Sequence, residues 1–339
     1  MKYSHIARYV AETPWAILPS KLTELLGVLA FRAAGHEFTA EEIKARLGEG
    51  GASLESRAEG ERRPPAGSRD VAIIPIRGVI AHRMGSMDDS SGGTSCERIA
   101  AMLRAVVGDP NIATIVFDVD SPGGTVTGMA ELAAEVFAAR ETKHLISVAN
   151  GMICSAAYDI ASQAHEIVSI PSGVVGSIGV FTAHEDLSAA LEKEGITITL
   201  ISAGKYKTEN NPFEPLTEEG RAILQSRVDA AYTQFVKDVA RGRGVSSADV
   251  RKGYGEGRAL QAKDAKAAGL IDRIATMDEV IGKLVGRTPR GGGMRAAMVA
   301  QALAEGRDPL HTEEDLPASL AQADGDDGRA EDLRRRRLL

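Results

Sequence analysis

Ser155 and Lys207 are the residues whose types and settings could do chemistry together. Ser155 lies in a run of small residues, Gly151-Met152-Ile153-Cys154-Ser155-Ala156-Ala157-Tyr158. Lys207 closes Ala203-Gly204-Lys205-Tyr206-Lys207, five residues before Pro212. A serine hydroxyl becomes a nucleophile when a base takes its proton, and a neutral lysine amine can be that base. Neutrality requires moving the amine from about 10.4 to about 7–8, a cost of about 4 kcal/mol supplied by burial and neighbours. Such a pair hydrolyses amide bonds without histidine. Each residue also has a plain alternative: a lone serine at a helix start is a cap, and a lone lysine is surface charge. Lys205 is a rival base by type. Cys154 is a rival nucleophile, although a small buried hydrophobe describes it as well. The seven histidines are scattered, with no H-E-x-x-H and no P-loop.

Two glycine-bearing segments could complete such a site. Asp120-Ser121-Pro122-Gly123-Gly124 follows an apolar run and precedes a helical pattern. Gly123 and Gly124 allow a substrate backbone to approach, and amides near a helix start stabilise a developing oxyanion. The same residues also suit a plain strand-to-helix turn in which Pro122 bends the chain. Gly173-Val174-Val175-Gly176-Ser177-Ile178-Gly179 is no dinucleotide loop, because it lacks G-x-G-x-x-G. Its glycines let a backbone pass close to a ligand or another chain. Ser177 gains interest if its hydroxyl reaches an amine.

Those residues must be positioned by the elements around them. Buried strands are expected at Val71–Ile76, Thr114–Val119, Leu145–Ala149, Glu166–Ile170 and Ile196–Ile201. Helical spacing lies between them: Ile99, Leu103 and Val106 on one face, then Met129, Leu132, Ala133, Val136 and Phe137. Alternation of strands and helices predicts an α/β domain with parallel packing. Ser155 then falls at the carboxyl end of a strand, the edge where open α/β sheets bind ligands. It is not a Gly-x-Ser-x-Gly elbow, which argues against an α/β-hydrolase. A long helix follows Thr217, with Ile223, Leu224, Val228, Tyr232, Phe235 and Val239 inward. A short one, Ala262–Ala268, is stopped by Gly269.

Four zones result. Residues 1–48 are a helical extension, with Leu22, Leu25, Leu26 and Leu29 on one face and a second short helix from Thr39. Residues 49–69 read as a flexible linker, 70–286 as the core domain, and 287–339 as a disordered tail with a helix at Met294–Ala304. At 339 residues and 43% hydrophobic content the chain can bury a full core. A net charge of −7 and a pI near 5.6 do not suit a nucleic-acid binder, and the Arg334–Arg337 run reads as solvated tail. Two cysteines make neither a disulfide framework nor a zinc motif, which fits a reducing, cytoplasmic setting. No signal peptide, membrane anchor or cofactor is expected.

Read in order, these segments resemble the S49 family of serine peptidases, the signal-peptide-peptidase-A-like group within the ClpP/crotonase fold. The resemblance covers about residues 70–285. It rests on Asp120-Ser121-Pro122-Gly123-Gly124, Ser155-Ala156-Ala157-Tyr158, Gly176-Ser177-Ile178-Gly179-Val180 and Gly204-Lys205-Tyr206-Lys207 with Asn211-Pro212-Phe213. Gly257-Arg258 and Ala268-Gly269-Leu270-Ile271-Asp272 follow. It implies a ClpP/crotonase-like spiral of βαβ units and a Ser–Lys mechanism. Ser155 matches the nucleophile, Lys207 rather than Lys205 the base, Ser177 the residue that holds the amine, and Gly123 and Gly124 the oxyanion segment. Cys154-Ser155-Ala156-Ala157 departs from the Ala-Ser-Gly-Gly of many members and resembles the phage-type branch, whose members serve as prohead or capsid-maturation proteases. That branch implies scaffold, portal or capsid proteins as partners and substrates, and the fold implies homo-oligomers with dyad residues within or across subunits. The alternatives are a bacterial signal-peptide or membrane-protein-degrading peptidase, and a catalytically inactive scaffold module of the same fold.

Overall fold

The computed structural model describes residues 14–33, 70–83 and 93–285. The helix from Thr39, the 49–69 linker and the tail beyond residue 286, including Met294–Ala304, lie outside the described residues. Along the chain the elements are β1 (Trp15–Ile17), α1 (Pro19–Ala33), β2 (Asp70–Ala81), β3 (Thr94–Ser95), α2 (Cys96–Gly108), β4 (Ile112–Thr125), α3 (Met129–Ala139), β5 (His144–Cys154) and α4 (Ala156–Ala161). Then come β6 (Glu166–Ser169), β7 (Val174–Gly176), α5 (Ser188–Lys193), α6 (Glu218–Arg243), α7 (Ser247–Gly253), β8 (Ala259–Gln261), α8 (Ala262–Ala267), β9 (Arg273–Ile274) and α9 (Met277–Leu284).

Near-continuous apolar runs form the sheet because both of its faces are covered. Its main path is β3-β2-β4-β5-β6-β9, and every pair along it is parallel. β7 continues alongside the far end of β5 in parallel, and β8 closes antiparallel on β7. The expected α/β class with parallel packing is what the chain adopts. One face carries the larger apolar cluster, from Ile74, Ile76, Phe117 and Val119 to Leu103, Leu132, Val136, Tyr158 and Phe235. The other carries Val71, Ile73, Val116, Ile146 and Val168 against Val280 and Ile281 of α9. Among the described residues no helix is long and apolar enough to cross a membrane.

Several expected elements differ in extent, and the differences concern the site. β4 does not turn after Val119 but runs on through Pro122, Gly123 and Gly124 to Thr125. The register with β2 and β5 shifts across Asp120–Gly123, so the strand absorbs the proline by slipping rather than by ending. β5 likewise passes through Asn150-Gly151, with Gly151 at φ 146°. Ile196–Ile201 forms no strand, because among the described residues no strand pairs with it. Ile196, Ile198, Leu200 and Ile201 are exposed, Ile201 at 96%. α6 starts where expected, with Thr217 accepting the Gly220 N–H at 3.0 Å. Its buried apolar side chains, Phe235, Val236, Val239 and Ala240, all lie in its second half, whereas Ile223 faces solvent. Trp15–Ile17 is a strand that the helical reading of residues 1–48 did not anticipate.

Candidate active site

Ser155 stands at the end of β5, between the last strand residue, Cys154, and the first turn of α4. Its backbone is at φ 55°, ψ −119°, a region that costs a non-glycine residue about 1–3 kcal/mol. The surroundings over-determine it. The Ser155 N–H donates to Gly176 O at 2.8 Å, and its carbonyl accepts from Tyr158 (2.8 Å) and Asp159 (3.1 Å). A serine acting only as a helix cap would turn its hydroxyl to the helix amides. Here no side-chain cap bond forms, and Oγ donates to Gly179 O at 3.3 Å. The residue is 1% exposed.

Three of the other expected site residues gather around it. Gly123 is in contact with the nucleophile turn: a Cβ built on it would meet Ser155 Cβ at 2.9 Å and Cys154 O at 3.0 Å. With φ at 106° as well, only glycine fits. Gly124 is pressed against β2, where an added Cβ would meet Ile80 O at 1.7 Å. Ser177 follows Gly176, which receives the Ser155 amide. It is buried, has φ 55°, and donates its N–H to Arg258 O at 2.8 Å. Two non-glycine residues with positive φ in touching turns are a concentration of strain of the kind found at functional sites.

Sequence reasoning missed the groups that brace this arrangement. Ser121 Oγ donates to Gly78 O at 2.6 Å and accepts the Gly123 N–H at 3.2 Å, fixing the glycine peptide between β2 and β4. Asp120 Oδ1 accepts the Met152 N–H at 3.2 Å and holds the far end of β5. Asp159 is fully buried beneath the site, with both carboxylate oxygens unpartnered. Burial first, then the nearby Asp238, push its carboxyl well above the usual range, against a smaller lowering by Arg241. Polar types inside apolar helical spacing were the available signal for Asp159. For Ser121 and Asp120 nothing short of the strand register would have served.

The rivals fall away on physical grounds. Cys154 is buried, and desolvation pushes its thiol up to about 12, so it keeps its proton and is a poor nucleophile. His144 and His165 lie tilted against each other, ring centroids 5.1 Å apart, at the start of β5, the opposite end of that strand from Ser155. Lys205 donates to the Tyr206 hydroxyl at 2.7 Å, and this bond, with Glu219 nearby, raises its pKa, the reverse of what a base needs.

Among the described residues Ser155 Oγ bonds to Gly179 O and not to Lys207. That lysine sits exposed in the turns of residues 203–210, and its side chain makes no hydrogen bond or ion pair among the described residues. The segment before it is the exposed apolar strip from Ile196 to Ile201, followed by Tyr206, 54% exposed.

Residues 138–287 match the model of Peptidase family S49. The "Capsid assembly protease C" of Escherichia phage lambda is 32% identical over 82% of this chain and 64% of its own length. The "Head-tail preconnector protein GP5" of Enterobacteria phage P21 is 32% identical over 69% of this chain and 47% of its own length. The chain thus spans about half to two thirds of these relatives. Among solved structures, a ClpP1 mutant from Listeria monocytogenes aligns with 61% of this chain and 92% of that chain at 15% identity, with a TM-score of 0.38.

Proposed function

From a chain that belongs to peptidase family S49 through residues 138–287, we propose a serine endopeptidase in which Ser155 is the nucleophile and Lys207 the general base. The observation that carries this reading is the backbone of Ser155. A serine held at φ 55° at the carboxyl end of a parallel strand, in contact with Gly123 and not capping its helix, is arranged for attack rather than for stability.

In the proposed reaction, neutral Lys207 takes the Ser155 proton and Oγ adds to a peptide carbonyl. Amides of the Gly123–Gly124 segment hold the oxyanion, the acyl-enzyme forms as the amine leaves, and water releases the acyl group. Ser177 holds the lysine amine. A lysine base must be dehydrated to be neutral, and Lys207 in a single chain is exposed. A second copy that buries the strip Ile196, Ile198, Leu200 and Ile201 would supply that dehydration, so the active form is a homo-oligomer. The name of the phage lambda relative, a capsid assembly protease, favours proteins of the phage head, such as capsid, portal or scaffold proteins, as the substrates we propose.

The test is hydrolysis of a denatured protein by purified variants. Ser155→Ala and Lys207→Met should each lower the rate by about 10³-fold or more, with circular dichroism unchanged. A normal rate for Lys207→Met removes the lysine from the role. Full activity in Ser155→Ala with loss in Cys154→Ala moves the nucleophile.

A further inference from the structure

The site as folded is filled. β1 runs antiparallel to the end of β4, pairing Trp15 with Thr125, Ala16 with Gly124 and Ile17 with Gly123. On its other edge, Trp15 exchanges two backbone bonds with Phe181, at 2.8 and 3.0 Å. Phe181 lies two residues beyond Gly179, the acceptor of the Ser155 hydroxyl. Trp15, Ala16 and Ile17 therefore lie as a strand between the glycine segment and the segment that passes the nucleophile. The bonds Leu18 N–H to Pro122 O (3.0 Å) and Val126 N–H to Pro14 O (3.3 Å) bracket the pairing. Alternation along an antiparallel ladder then makes Ala16–Gly124 a hydrogen-bonded pair. The Ala16 carbonyl also lies against Gly123, 2.2 Å from where a Cβ would stand, on the side that meets Ser155.

We infer that this slot is the cleft that takes a substrate backbone as an added strand, and that Trp15-Ala16-Ile17 occupies it in cis and blocks it. The inference rests on the peptidase reading above and adds its regulation and substrate class. Three observations carry it. First, a nucleophile 1% exposed cannot meet a peptide from solution until something moves, and β1 covers the slot it faces, with Trp15, Ala16 and Ile17 at 4%, 0% and 2% exposure. Second, strand addition uses main-chain bonds for affinity and alternate side chains for selection, which is how β1 is held. Third, the large side chains of β1 lie outside the main core: Trp15, Ile17 and Leu22 form a small cluster with Leu26, Val79 and Phe181, and only Ala16 joins the larger cluster of the sheet. Such a unit can open without unfolding the domain. The slot's occupant also defines what the slot accepts: an extended peptide with a small residue at the Ala16 position between two large apolar ones.

The test uses the full chain and denatured casein. Ala16→Arg, a side chain for which the slot has no room, should raise Ser155-dependent hydrolysis about tenfold, since apparent affinity scales with the open fraction. A synthetic peptide of residues 10–22 should then inhibit that variant competitively. In a second full-length variant, Trp15→Cys with Phe181→Cys, oxidation should lock the strand and lower hydrolysis about tenfold, and reduction should restore it. This variant decides the matter if Ala16→Arg does not fold. Equal Ser155-dependent rates in wild type, Ala16→Arg and both redox states of the double-cysteine protein would overturn the blocked cleft and leave the peptidase reading standing. Saturable binding of the 10–22 peptide to Ala16→Arg, with no hydrolysis by any variant, would sink the peptidase reading and keep the cleft.

Discussion

At the scale of single residues, the proposed nucleophile, Ser155, is set apart by its conformation. Its φ of 55° is tolerated at a cost that a glycine would not bear. Ser155→Gly should therefore be more stable than Ser155→Ala by about 1 kcal/mol in chemical denaturation, although neither carries the hydroxyl. Equal stabilities would mean the turn is not strained and would remove the argument from backbone geometry. The residue types were legible in the sequence: Ser155, Ser177, Gly123 and Gly124 do come together. Their order along the chain gave no view of the positive φ values or of Ser121 bracing the Gly123 amide, because both depend on strands that are distant in sequence.

At the scale of elements, α4 and α6 pack with an acid between them. Asp159 of α4 is fully buried next to Asp238 of α6, which pairs with Arg241 at 3.0 Å. A carboxyl whose pKa is raised by folding contributes stability below its unfolded value of about 3.9, and that contribution is lost as pH rises toward the folded value. Asp159→Asn removes the titration. It should melt above wild type at pH 8, by on the order of 1 kcal/mol, with the gap closing toward pH 4. A gap independent of pH would show that the acid does not titrate on unfolding. Helix spacing predicted α2, α3 and the start of α6 well, because burial on one face leaves a periodic trace. It misplaced the inward face of the first half of α6 and the Ile196–Ile201 strand. Apolar spacing marks a surface that seeks burial without saying whether the same chain supplies the cover. β1 was missed because a strand of three residues, Trp15–Ile17, in the short stretch between Pro14 and Pro19 is too brief for a period.

At the scale of the whole molecule, the nucleophile is buried in the chain and the proposed base is on its surface. In the proposed dyad, a second copy is what would join them. If the dyad forms across subunits, mixing inactive Ser155→Ala with inactive Lys207→Ala should restore part of the activity, because some mixed interfaces carry one intact pair. Recovery should require subunit exchange and vanish in either protein alone. No recovery after verified exchange would place the pair within one chain. The α/β class and the parallel order could be read from the alternation of apolar runs and helical spacing, since the central strands are buried on both faces. The exposure of Ile196–Ile201 could not, because an exposed apolar strip looks the same in sequence as a buried strand.

The most direct measurement is mass spectrometry of a denatured protein incubated with purified wild type and, in parallel, with Ser155→Ala. The account predicts new peptide termini with wild type only. The same termini from both preparations would contradict it.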